Sequence, residues 1–113
     1  CSVKVTGGSV AYVGLLMANG GFGVQDCKQL LQPETVRVVK SIMHTCGMYD
    51  GSGEFAVRVG VPAKSGVAGG IMAVAPTLMG IGIYSPALDE KGNSLAGIRL
   101  LEKLSQELYL SIF

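Results

Sequence analysis

Gly60-Val61-Pro62-Ala63-Lys64-Ser65-Gly66-Val67-Ala68-Gly69-Gly70 is the stretch on which the reading of this chain turns. It sets one cation (Lys64), one hydroxyl (Ser65) and a run of small residues directly before a strongly apolar segment. Glycine lets backbone approach a ligand closely and leaves amides unshielded. A short strand edged by Lys-Ser-Gly can therefore offer a charge, a hydroxyl and free N–H groups to one small anionic group. Two apolar runs follow, Gly70–Ala75 and Met79–Tyr84, separated by Pro76-Thr77-Leu78. Their length, β-branched content and proline turn predict an antiparallel hairpin. Neither run alternates apolar with polar residues, so both faces are expected to be covered.

Working outward, Ser9–Asn19 predicts a helix with Val10, Val13, Leu16 and Met17 on its inner face. Thr6 or Ser9 can cap its start, and Asn19-Gly20-Gly21 stops it. Phe22–Leu31 reads as a loop with a short extended piece. Pro33 suits a first helical position with Glu34 beside it, and Val36, Val39, Met43 and Cys46 recur at helical spacing until Gly47. Met48–Gly53 is a polar turn, and Glu54–Val59 fits a helical turn or a strand. Beyond the hairpin, Ser85–Gly92 is a loop. Asn93 or Ser94 caps a last helix with Leu95, Ile98, Leu101, Leu104 and Leu108 inward and Lys103 and Glu107 paired outside. The order helix, helix, strands, helix predicts an α+β layer, an antiparallel sheet covered by helices.

The chain has 113 residues, a 49% hydrophobic and a 15% charged fraction, and a net charge of +1. Average soluble domains carry roughly 25% charged residues, so the polar surface is too small for a free globule of this size. Part of the apolar surface is expected to face more chain or another subunit. The start at Cys1-Ser2-Val3-Lys4-Val5-Thr6, inside a strand-like pattern with no initiator Met or targeting peptide, gives the same expectation of a fragment. No basic cluster recommends nucleic acid or anionic membrane as partner, and no apolar run reaches the ~18 residues of a membrane helix. Three cysteines (Cys1, Cys27, Cys46), odd in number and without C-x-x-C, favour a reducing compartment. His44 and Cys46 lack a second ligand pair, so a helix end with a buried thiol is expected there, not a metal site.

Three chemistries compete for the central stretch. A nucleotide-binding phosphate loop is disfavoured because Ala63 stands where glycine should precede Lys64, and Gly60 is wrongly spaced. Cys1 could act as an N-terminal nucleophile with its own amine as base, but nothing else supports it. The third is the penicillin-recognising type of serine hydrolase, which combines a Ser-x-x-Lys nucleophile with a Lys-[Thr/Ser]-Gly triplet on a strand beside the pocket. Lys64-Ser65-Gly66 supplies that triplet, with a hairpin after it and a tyrosine turn upstream.

Met48-Tyr49-Asp50-Gly51-Ser52-Gly53, the whole of Gly60–Gly70, Ser85-Pro86-Ala87-Leu88-Asp89 and Gly92-Asn93-Ser94 together resemble the C-terminal part of serine-dependent glutaminases. Met17–Gly21 resembles them too, and only Phe22–Leu31 is short against the family pattern. The resemblance implies that residues 1–113 are the C-terminal portion of one catalytic domain with the fold of serine β-lactamases. It implies hydrolysis of L-glutamine to L-glutamate and ammonia through an acyl-serine, without a cofactor. Carried over by position, Tyr49 resembles the family's catalytic tyrosine, and Val67 the residue whose backbone N–H completes the oxyanion hole. The resemblance further implies a catalytic role for Lys64 and places Ser65 and Gly66 with Tyr49 and Val67 around the substrate.

A phenol titrates near ~10, so a phenol working near neutrality requires a cation beside it. At ~4 Å and an effective dielectric of ~20 one cation supplies about 4 kcal/mol. No Ser-x-x-Lys occurs in the chain, so the nucleophile and its lysine are expected upstream, and the chain alone is expected to be inactive. The implied partners are L-glutamine, the rest of the same domain and further copies in a homo-oligomer, in the cytoplasm or, in a eukaryote, the mitochondrion. Competing readings are a non-catalytic ligand-binding relative of the same fold and a self-associating structural piece.

Overall fold

A computed structural model describes residues 3–113; Cys1, weighed above as a nucleophile, lies outside the described residues. Helix α1 spans Gly7–Ala18, α2 Pro33–Cys46, α3 Ser52–Arg58 and α4 Leu95–Leu108. Strands β1 (Ala63–Ser65), β2 (Gly70–Ala75) and β3 (Met79–Tyr84) form an antiparallel sheet in the order β1-β2-β3. Glu54–Val59, open between helix and strand, is helical from Ser52. The hairpin register runs from Gly70↔Tyr84 to Ala75↔Met79, and β1 pairs Lys64 with Met72 on the other side. The chain is thus α+β, with helices over both faces of the sheet.

Alternation along the strands sorts the core into two layers, because successive side chains point to opposite faces. Ile71, Ala73 and Ala75 of β2 join Met48, Phe55, Val59 and Leu101 beneath α3 and α4. Val74 joins Met17, Ala18, Val36 and Met43 beneath α1 and α2. The expectation of cover on both faces holds for β2. Strand β3 is an edge and stays half-buried, ending in an exposed Tyr84.

Helix α1 departs from its expected inner face. Met17 is buried, but Val13 is 47% exposed, and the buried partners of Met17 are Gly14 and Ala18. The reason lies in β3. A Cβ on Gly80 would sit 2.0 Å from the Leu15 nitrogen, and one on Gly82 would sit 2.3 Å from the Gly7 oxygen. With both side chains missing, helix backbone closes onto strand backbone and presents its small residues. Helix α4 keeps Ile98, Leu101 and Leu104 against the core as expected and also buries Gly97 and Ser105, while Leu95 and Leu108 at its ends are 43% and 50% exposed.

Polar closures match the predicted caps. Thr6 Oγ1 accepts from the Ser9 amide at 3.0 Å, and Ser94 Oγ accepts from the Gly97 amide at 3.1 Å. Pro33 opens α2, and Lys103 pairs with Glu107 at 3.4 Å. Inside, Ser105 Oγ donates to the Val59 carbonyl at 2.6 Å, which ties α4 to the end of α3. Outside, Arg58 bridges the same helices through Glu102 at 2.6 Å. That hydrogen bond holds the Glu102 carboxyl below its ordinary range and raises the Arg58 guanidinium.

Two stability measurements follow. Gly80→Ala should lower the unfolding free energy by ~1–3 kcal/mol through overpacking against α1, whereas Gly53→Ala, with open space around it, should be neutral or stabilising. Urea midpoints compare the two, and equal midpoints would contradict the close contact. Glu102→Gln should lower the midpoint at neutral pH. A depressed carboxyl stabilises above its unfolded pKa and loses that stabilisation as pH falls through its folded value. The gap between variant and parent should therefore close on acidification, remaining small throughout because the pair is exposed.

Candidate functional site

Helix α2 ends against β1, and that junction builds the site. A Cβ on Gly47 would lie 1.8 Å from the Ala63 oxygen, so only glycine lets the helix end approach the strand. The Ser65 amide donates to the Gly47 carbonyl at 2.9 Å. Because antiparallel pairing alternates sides along a strand, the Ser65 carbonyl also points away from β2. Two groups converge on it: the Tyr49 hydroxyl donates at 3.4 Å, and Lys64 Nζ donates as well. The Lys64 ammonium lies 4.7 Å from the centroid of the Tyr49 ring. Lys64 enters no ion pair among the described residues.

Tyr49 opens a 3-10 turn over Tyr49–Gly51 and has a φ of 53°, a left-handed conformation uncommon outside glycine. Hydrogen bonds surround it. The Met48 amide donates to Ser52 Oγ at 3.0 Å, and Ser52 Oγ donates to the Tyr49 carbonyl at 2.8 Å. Asn93 Nδ2 reaches the Met48 carbonyl at 2.8 Å from 45 residues away in the chain. Sequence alone assigns no chemical role to Ser52 or Asn93; the one signal is their place in the motifs flanking Tyr49 and α4.

Of the other predicted site residues, Gly66 starts the turn into β2, its amide donating to the Gly70 carbonyl at 2.9 Å. Val67 is 62% exposed on that turn, and its amide has no partner among the described residues. Ser65 is buried at 3% exposure, and its hydroxyl has no partner either. The structure therefore gathers Tyr49, Lys64 and Ser65 in one cluster and carries Gly66 and Val67 on the adjoining turn. Chemically, the cluster can offer a phenol beside a cation and an unengaged backbone donor.

Lys64 separates two apolar grooves. One runs along Val39, Ile42, Met43, Cys46 and Met72; the other along Val10, Val13, Gly70 and Ile71. Cys46 is accordingly exposed toward the first groove, contrary to the expected buried thiol, with Sγ donating to the Ile42 carbonyl at 3.2 Å. It sits on the outer flank of α2, where no part of the described chain covers it. His44 packs against Phe113 with ring centroids 5.1 Å apart and planes tilted by 45°. Among the described residues no cluster of three His, Cys, Asp or Glu could hold a metal, and no helix is long and apolar enough to cross a membrane.

Comparison with known proteins gives this geometry a setting. The family model described as Glutaminase matches residues 1–113. A glutaminase of Alkaliphilus oremlandii is 54% identical over 113 residues, all of this chain and 37% of that protein. One of Clostridioides difficile is 53% identical over the same span. Among solved structures, the Bacillus subtilis glutaminase YbgJ covalently joined to 5-oxo-L-norleucine superposes with a TM-score of 0.97 at 46% identity. The match covers 100% of this chain and 41% of that one. The chain thus spans about 37% of the length of the curated relatives it matches.

Ser65→Ala tests whether the buried hydroxyl is free within these residues. Deleting an unpartnered buried hydroxyl should change the unfolding free energy by less than ~1 kcal/mol, whereas removing a partnered one costs about 1–3 kcal/mol. A loss at the upper end of that range would mean that Ser65 Oγ is engaged.

Proposed function

The chain belongs to the glutaminase family, and from that membership we propose that it is the C-terminal portion of a catalytic domain of the serine β-lactamase-like fold that hydrolyses L-glutamine. In the whole protein, a serine upstream attacks the side-chain amide carbon of glutamine. The bond to nitrogen breaks, ammonia leaves carrying the transferred proton, and water then cleaves the ester to give L-glutamate. Nothing in this chain supplies the nucleophile, since no Ser-x-x-Lys occurs in it. The covalent adduct formed by the Bacillus subtilis relative supports a nucleophile beside the side-chain end of the substrate.

What this chain contributes is the opposing wall. Tyr49 relays protons between the attacking hydroxyl and the leaving nitrogen, and Lys64 beside its ring favours the charge that relay develops. The Val67 amide donates to the oxyanion that forms on the amide oxygen. Ser65 and Gly66 complete the contact surface for substrate. The observation carrying this reading is the convergence of the Tyr49 hydroxyl and the Lys64 ammonium on the single carbonyl of Ser65. The exposed grooves on either side of Lys64 support a seat for the rest of the domain. Two exposed free thiols, Cys27 and Cys46, suit the reducing cytoplasm. Exposed apolar residues such as Val38 and Leu30 support assembly into a homo-oligomer.

Ammonia release from L-glutamine by the whole protein tests the assignment. Tyr49→Phe should lower turnover by ~10²-fold or more, the usual contribution of a proton-transferring side chain. Val67→Pro, which deletes the amide hydrogen, should cost ~10²–10³-fold, and Val67→Ala far less. Turnover near the parent level in Tyr49→Phe would remove the tyrosine from the reaction.

A further inference from the structure

We propose that Asn93 is a positioning residue for Tyr49, acting through the peptide group that precedes it; this rests on the reading of Tyr49 as the proton-relaying phenol. The φ torsion of Tyr49 relates two peptide planes, and each is held by its own carbonyl. The plane before Tyr49 ends in the Met48 carbonyl, which receives Asn93 Nδ2 at 2.8 Å. The plane after it carries the Tyr49 carbonyl, which receives Ser52 Oγ at 2.8 Å. Together these hold a non-glycine residue at a φ of 53°. Such a conformation costs ~1–3 kcal/mol and persists only where its surroundings over-determine it.

Asn93 is itself built into place. Asp89 Oδ1 accepts from the Lys91 amide at 2.9 Å and from the Asn93 amide at 3.0 Å, while the Asp89 amide donates to the Asn93 carbonyl at 2.7 Å. Gly92, at a φ of 88°, turns the loop so that a Cβ there would meet the Tyr49 ring at 3.8 Å. The carboxamide is 1% exposed, yet Oδ1 has no partner among the described residues. Only its donor end is used. The bond from Nδ2 to the Met48 carbonyl is thus the one side-chain contact that orients Asn93 among the described residues, and it is made to the peptide that precedes Tyr49. Losing it leaves the turn closed, because the Gly51 amide also donates to the Met48 carbonyl, at 3.0 Å. What is lost is the aim of the phenol at Ser65 and Lys64.

The experiment is a double-mutant cycle on ammonia release by the whole protein. Asn93→Ala should lower turnover by ~10–100-fold, the scale of a misplaced catalytic group. In a Tyr49→Phe background it should cost nothing further, since it acts only through the phenol. Asn93→Leu serves if the alanine variant does not fold. It fills the same space and deletes the orphan acceptor, so its thermal midpoint should stay level or rise while turnover falls. A rate and a midpoint that fall together in Asn93→Leu would make Asn93 merely structural. Equal fold-losses in both backgrounds, or turnover near the parent level, would likewise overturn the proposal. If Tyr49→Phe itself keeps the parent's turnover, the relay reading falls and this one falls with it. Additive losses remove the role of Asn93 alone.

Discussion

One hydrogen bond governs the disposition of the site: the Ser65 amide to the Gly47 carbonyl, 2.9 Å long. Tyr49 lies two residues beyond one partner, and Lys64 lies one residue before the other. With so few torsions between, joining the helix end to the strand fixes which side chains can meet. The bond exists because Gly47 has no Cβ to strike Ala63. It faces the right way because β1 spends its alternate amides and carbonyls on β2 and leaves those of Ser65 for the other side. The strand is only three residues long, so its alignment depends on being gripped from both flanks.

Much of the architecture is readable from local chemistry. The proline between two apolar runs marks the hairpin, and Thr6, Ser94 and Pro33 mark helix starts by the groups they satisfy or lack. Which face of a helix turns inward is less readable, because that depends on what it meets. Val13 looks like part of the inner face of α1 until Gly80 and Gly82 of β3 admit the helix backbone and draw Gly14 and Ala18 inside. In α4, Ser105 goes inward in place of Leu108 because the Val59 carbonyl needs a donor there. Leucine periodicity carries no record of that need.

The site divides along the same line. Tyr49, Lys64 and Ser65 are legible as a group because their spacing is short and their motifs are specific. The bond from Asn93 to the Met48 carbonyl beside the left-handed turn at Tyr49 is a long-range fact, spanning 45 positions, and no local pattern encodes it. Polar groups that stabilise a strained backbone are inconspicuous in sequence, since asparagine before a helix already has an ordinary explanation as a cap.

The two faces of the sheet carry unlike contacts: peptide against peptide where α1 meets β3, interdigitated side chains beneath α4. Interdigitated side chains can be exchanged in compensating pairs, because one enlarges as its neighbour shrinks. Peptides in contact have nothing to exchange. The α4 side can therefore absorb coordinated replacements, whereas a side chain added where α1 meets β3 would force helix and strand apart, an asymmetry set by three missing methyl groups at Gly14, Gly80 and Gly82.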